Sequence, residues 1–265
     1  MYIALALLGI AVGCFGTLIG AGGAFLLAPI LVLLYPNDSA ATIASISLAV
    51  VFCNALSGTI AYTRQRRTDV RAGLWFSATA IPGAVVGATA VRYIPREIFE
   101  LILGVVLIAA AIFLLFARRP PDAPATSGRD RLGPRVAYPR AIGLTLSFFV
   151  GFVSGLLGIG GGIIHVLALV HALGFPVHVA TATSHFVLAT TAGAGTITHI
   201  ATGAFHEGWR RAIALALGAV IGAQLGAIWA RHARSAFILR GLAIALILVG
   251  ARIVVYAVNA LLTPR

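Results

Sequence analysis

Gly20-Ala21-Gly22-Gly23 interrupts one long apolar run, and Gly158-Ile159-Gly160-Gly161-Gly162 interrupts another in the second half of the chain. Glycine weakens a helix and bares its backbone. Inside a bilayer, bare backbone is tolerated only where protein buries it or where it lines a cavity. Two such breaks, at matching places in two halves, point to a transporter's substrate site.

The rest of the sequence puts both breaks in a membrane. Of 265 residues, 60% are hydrophobic and 10% charged, with a mean hydropathy of +1.02. A soluble domain carries about 25% charged residues. The apolar runs cover 2–35, 40–63, 70–91, 97–117, 141–174, 178–202, 209–229 and 236–258. Each reaches or approaches the ~20 residues that cross a bilayer. The first run begins Met1-Tyr2-Ile3, with no basic segment ahead of it, so it reads as mature protein and not as a signal peptide.

The net charge of +12 comes from arginine alone, as the sequence has no lysine. In a soluble protein this would suggest nucleic acid. Here Arg64, Arg66, Arg67 and Arg71, then Arg118, Arg119, Arg129, Arg131, Arg135 and Arg140, sit in short segments between apolar runs. That is the pattern of topology signals facing the cytoplasm and its anionic lipid. Nucleic acid is therefore excluded as a partner, and the bilayer is the expected one. Cys14 and Cys53 lie within apolar runs and read as packing residues.

The fold expected is an all-α polytopic membrane protein built from two homologous repeats of four segments each. A polar stretch rich in Pro, Gly and Arg, 118–140, reads as a flexible linker between a first membrane repeat, 1–117, and a second, 141–265. Beyond the glycine clusters, Ser47 aligns with Ser184, Asn54 with Thr191, Gly58 with Gly195 and Asp69 with His206. Gly83 and Gly87 have counterparts among Gly218, Gly222 and Gly226, spaced for close packing of helices. Pro82 is expected to kink the third segment. The first segment of each repeat is too long for one crossing. It is either a broken, tilted helix or a re-entrant hairpin, and the lengths on either side of each break suit a hairpin better. A hairpin would invert one half relative to the other.

A new helical piece starts after each cluster, near Ala24 and Ile163. Its first N–H groups lack intrahelical partners and carry the positive end of the helix dipole, so anions are favoured there. Candidate substrate-binding residues are therefore Gly20, Gly22, Gly23, Gly158, Gly160, Gly161 and Gly162. Ser47, Asn54, Thr183, Ser184 and Thr191 could donate to an oxyanion without adding charge, and Ser45 and Thr181 lie beside them. Ser47 and Asn54 are seven residues apart, as are Ser184 and Thr191, so each pair shares a helix face.

No Asp or Glu lies in the middle of an apolar run, which argues against a cation carrier. All seven histidines, His165, His171, His178, His185, His199, His206 and His232, lie in the second half. His185, next to Ser184, is the one expected to touch substrate or a coupled proton. No nucleotide loop, protease motif or metal-cofactor motif is present, so no cofactor and no enzymatic activity are expected.

The order Gly20 to Gly23, Pro29, Ser47-Leu48, Asn54, Gly58, Tyr62, Thr68-Asp69 and Pro82-Gly83, echoed by Gly158 to Gly162 and Ala180 to Ser184, resembles the TauE/SafE family of sulfite-exporter-like permeases. The resemblance covers nearly the whole chain outside 118–140. It implies a bacterial inner-membrane carrier of sulfite, sulfonates or related small anions. The chain departs from the family pattern at Leu167, where proline is usual, and at Ala182, where glycine is usual; His165 and His185 are also unusual. The leading expectation is thus a secondary transporter of a small sulfur-containing anion. A divalent metal-cation permease using the second-half histidines and a non-transporting membrane scaffold are the alternatives. The sequence leaves a homo-oligomer open.

Overall fold

A computed structural model describes residues 2–19, 22–116, 128–130, 133–205, 208–230 and 235–262. It is almost entirely helical. Helix α1 is Tyr2–Ile19, α2 Ala24–Leu34, α3 Ala40–Arg64, α4 Val70–Ala90 and α5 Arg96–Phe116. After the interhelical segment come α6 (Arg140–Leu157), α7 (Gly162–Leu167, continued as a π-helical turn through Ala172), α8 (Val177–Ala201), α9 (Trp209–Trp229) and α10 (Ser235–Leu262). Among the described residues, seven helices are long and apolar enough to cross a membrane: α1, α3, α4, α5, α6, α9 and the Ala243–Leu262 part of α10. The protein is a multi-pass membrane protein. Helix α8 matches α3 in length but carries His178, His185, His199 and six threonines, which lower its apolarity.

Both glycine clusters break the helix. Gly22 (φ +70°) and Gly23 (+78°) end one, and Gly158 (+67°), Gly160 (+73°) and Gly161 (+60°) end the other. These are left-handed conformations in which a Cβ is strained. The chain turns back on the helix it has just left. The Gly22 N–H donates to Gly16 O at 3.1 Å, and Gly23 lies against Val12. Gly161 lies against Val150 and Ser154 in the same way. In neither run does the helix continue in one direction through its break.

The long helices pack in crossed pairs. Helix α1 packs chiefly on α9, and α4 on α6. Gly9 abuts Leu215 and Gly13 abuts Ala219, so α1 and α9 run parallel; Gly83 abuts Phe148 and Gly87 abuts Phe152, so α4 and α6 do as well. A Cβ on Gly218, Gly222 or Gly226 would fall on a carbonyl of α1, at Ala6, Ile10 and Cys14 in turn. The small-residue spacing thus marks backbone-to-backbone seams. Helices α3 and α8 form the centre and run antiparallel, with Gly58 beside His185, Phe52 beside Gly193 and Leu48 beside Gly195. Helices α5 and α10 pair at the periphery. Helix α4 continues unbroken through Pro82.

The interhelical segment is not wholly loose where it is described. Gly128–Asp130 pairs antiparallel with Gly133–Arg135. The Val136 N–H donates to Asp69 Oδ2 at 3.1 Å, and Tyr138 stacks against Phe76 and Phe175. These contacts fix the approach to α6 onto the start of α4, a restraint that the Pro and Gly content of 118–140 does not betray.

Candidate functional site

The second glycine break lines a narrow cavity whose free space is on the scale of a single water molecule. Gly160, Gly161 and Gly162 form one wall. Helix α6 contributes Ser147, Val150, Gly151 and Ser154, helix α7 His165, helix α8 Ser184, Val187, Leu188 and Thr191, and helix α4 Ala80. The polar groups are arranged unevenly. Ser184 Oγ donates to Gly162 O at 3.1 Å, which ties α8 to the break. Thr191 Oγ1 donates to Val187 O of its own helix at 2.9 Å. Ser147 Oγ and His165 Nε2 share a hydrogen bond at 3.2 Å. Ser154 Oγ and His165 Nδ1 are buried with no partner. Among the described residues, no carboxylate and no arginine lines the cavity.

The first break reaches the same part of α8. Gly22 lies against Leu188 and Val51, and Leu188 also lines the cavity at Gly160–Gly162. The two breaks therefore meet α8 at one side chain. Gly158 is packed against Ala44 of α3. Ser47, on α3, is fully buried and its hydroxyl has no partner. Gly20 lies outside the described residues.

Three of the expected site residues face elsewhere. Asn54 Nδ2 donates to Gly13 O at 3.1 Å and to Ala219 O at 3.2 Å, while its Oδ1 accepts from Thr17 Oγ1 at 3.2 Å. Its amide joins α1, α3 and α9. Thr183 Oγ1 accepts from the Asp69 N–H at 3.0 Å, and Asp69 Oδ1 in turn caps α4 at Ala72 N. His185 sits edge-on to Tyr62 with ring centroids 5.4 Å apart, against Gly58, with Tyr62 Oη donating to Thr17 O. These three residues are helix-to-helix fasteners. Conversely, Ser147 and Ser154 were not among the expected site residues. Their seven-residue spacing on the segment just ahead of the break is the signal that marks them.

The histidines do not converge. His165 lies at the cavity, His185 at Tyr62, and His171 against Phe113 at 5.2 Å, while His199 is wholly buried. Among the described residues no three His, Cys, Asp or Glu side chains come together. His206, Glu207 and His232 lie outside those residues. The ion pairs lie at helix ends. Arg211 pairs with Asp38 at 2.7 Å, and Arg96 pairs with Glu100 at 2.6 Å. Arg96 also donates to the carbonyls of Val32, Tyr35 and Asp38, closing the C-terminal end of α2.

A protein-family model described as "Sulfite exporter TauE/SafE" matches residues 5–253. The probable membrane transporter protein YunE of Bacillus subtilis is 31% identical, over 96% of this chain and 97% of its own length. The probable membrane transporter protein MJ0441 of Methanocaldococcus jannaschii is 29% identical, over 74% and 71%. The probable membrane transporter protein YfcA of Escherichia coli is 26% identical, over 65% and 60%. No solved structure matches the chain. With its membrane-spanning helices, its glycine-broken segments and a match running nearly from end to end, this chain belongs to the TauE/SafE family of membrane transporters and is not an enzyme.

Proposed function

We propose that the protein is a secondary carrier of a small sulfur-containing anion, such as sulfite or an organosulfonate, bound between its two glycine breaks. The observation that carries this reading is the cavity at Gly160–Gly162, which among the described residues has hydroxyl and imidazole groups but no carboxylate. A cation would find no counter-charge there, and an anion would meet donors. The first N–H groups of α2 and of the Gly162–Ala172 helical run add the positive ends of two helix dipoles. Gly22, Gly23, Gly160, Gly161, Gly162 and Ser47 remain the proposed substrate contacts, joined by Ser154; Gly158 packs against Ala44, and Ser184 and Thr191 spend their hydroxyl protons on the carbonyls of Gly162 and Val187. The name of the matched family supports sulfite by analogy.

Two inverted repeats, 1–117 and 141–265 joined by 118–140, supply the moving parts of this proposal. Val12 and Gly23 stand eleven residues apart, as do Val150 and Gly161, and each pair is in contact. Helix α1 takes α9 as its partner and α6 takes α4, while α3 and α8 are antiparallel. Each relationship has its counterpart when the halves are exchanged. The Asp69 turn and the start of α6 lie together and are rich in arginine, so that side is assigned to the cytoplasm. Opposed tilting of the halves about α3 and α8 would expose the breaks to either side in turn.

The experiment is sulfite flux in proteoliposomes, with sulfate, methanesulfonate and a divalent metal as competitors. Saturable sulfite flux, inhibited by methanesulfonate and indifferent to the metal, is the expected result. Metal uptake without anion flux would overturn the reading.

A further inference from the structure

His165 has a position that an ordinary packed histidine does not need. Its side chain is 3% exposed. Nε2 is bonded to Ser147 Oγ at 3.2 Å, and Nδ1 has no partner although His165 lines the cavity. Ser154 Oγ, the second unpartnered polar atom, lines the same cavity. A buried polar atom left without a bond costs about 1–3 kcal/mol, so two beside one cavity mark a place where a water molecule or a ligand group would be bonded.

The second half alone carries these groups. At the offset that places Gly20–Gly23 on Gly158–Gly161, Ser147, Ser154 and His165 fall on Gly9, Gly16 and Leu27. Gly9 is closed against Leu215, Gly16 against Gly23, and Leu27 is fully buried. The polar equipment is thus an addition to one break and is not dictated by the shared architecture.

An anion entering so enclosed a space needs a balancing positive charge, because an unpaired buried charge costs several kcal/mol. Helix ends supply only about half a charge each. Phe76 of α4 packs against His165 and Ser147 of α6 bonds to it, and the described residues that line the cavity with it are Ala80, Ser154, Ser184 and Thr191 together with glycine, valine and leucine. None of these titrates near neutral pH, and none is charged. Tyr138 lies one layer away, on the Phe76 ring. Among the described lining residues His165 is the titratable side chain, and imidazole is the side chain suited to taking and releasing a proton near pH 7.

We infer that His165 binds one proton with each transported anion, so that the carrier moves anion and proton together. This rests on the anion-carrier reading above. In the empty state Nε2–H donates to Ser147, and Nδ1 presents its lone pair to the cavity. A proton from the aqueous side adds to that lone pair, and the resulting N–H donates to the anion. On the far side the proton and the anion leave together, and no other bond is made or broken. Ser147 is suited to this, because a hydroxyl can accept from an imidazole N–H in either protonation state. For a monovalent anion the loaded site adds no net charge, so accumulation should follow the pH gradient and ignore the membrane potential.

The test uses wild-type protein in proteoliposomes with radiolabelled methanesulfonate, which stays ionised at every pH used, and sulfite in parallel, with protein-free vesicles as blanks. Potassium and valinomycin hold the potential at zero while a pH gradient is applied, and then the reverse. One proton per monovalent anion predicts about tenfold accumulation of methanesulfonate per unit of pH gradient, and none from potential alone. His165→Gln keeps an amide donor but cannot titrate, and it should convert the flux to one driven by potential and insensitive to the pH gradient. Wild-type flux that follows potential and ignores the pH gradient overturns the inference and leaves the carrier standing. This arm needs no variant to fold. Gradient-driven accumulation that persists in His165→Gln also overturns it. No saturable flux of either anion in wild-type protein overturns the carrier reading itself, and the inference with it.

Discussion

Thr183 on α8 accepts a hydrogen bond from the backbone N–H of Asp69, 3.0 Å away across the α3–α4 turn. Asp69 then caps α4 and holds Val136, so one hydroxyl anchors a chain of bonds that reaches the start of α6. Replacing Thr183 by Val leaves a buried N–H unsatisfied, which costs about 1–3 kcal/mol. The expected outcome is a lower melting temperature in detergent with an unchanged KM for the anion. A tenfold rise in KM at unchanged stability would return Thr183 to the substrate site.

Asn54 should behave likewise. Its amide is spent on Gly13, Ala219 and Thr17, and it has no donor left for a ligand. Asn54→Leu preserves volume and removes three bonds, so a loss of roughly 1–3 kcal/mol is expected. Thermal unfolding should register it, and competitive binding of sulfite should move less than twofold.

Ser154 predicts the opposite pairing of effects. Its hydroxyl is buried and unpartnered, so Ser154→Ala removes a cost and leaves stability equal or higher. Anion flux should nonetheless fall several-fold if that hydroxyl serves the ligand. Flux at the wild-type level would remove Ser154 from the site.

Two glycines separate packing from backbone conformation. A Cβ at Gly222 falls on the Ile10 carbonyl, so Gly222→Val should abolish the α1–α9 seam and with it the folded protein, read as loss of the monodisperse peak on size exclusion. Gly174 has φ +70° but open space around it. Gly174→Ala should cost only about 1 kcal/mol, through backbone strain alone.

The length of the apolar runs and their punctuation by Gly and Pro made the helices legible nearly to the residue. Left-handed φ values at Gly22, Gly23, Gly158, Gly160 and Gly161 follow from the same glycines. The facing of side chains on α3 and α8 was not legible. Each helix has an exposed stripe, with Leu56 and Ile60 on α3 and Ile197 on α8, that is as apolar as its buried faces, so hydrophobic periodicity does not mark an inner face. Ser184 and His185 are neighbours in sequence, yet one meets Gly162 and the other Tyr62. A step of one residue turns a helix by about 100°, which suffices to carry a side chain from the cavity to a helix seam. Ser47 and Asn54 share a face only approximately, and the amide reaches α1 and α9 while the serine stays unpaired.

The crossed pairing of α1 with α9 and of α6 with α4 has a consequence for biosynthesis. Helix α1 leaves the ribosome first, but the glycine seam it fits is not made until residues 209–229 emerge. Until then Gly9 and Gly13 present bare backbone to lipid, or to the translocon that holds them. Each half made alone is therefore an incomplete object, whatever its own apolar content. Residues 1–117 and 118–265, synthesised as separate chains in one cell, should escape proteolysis only when both are present.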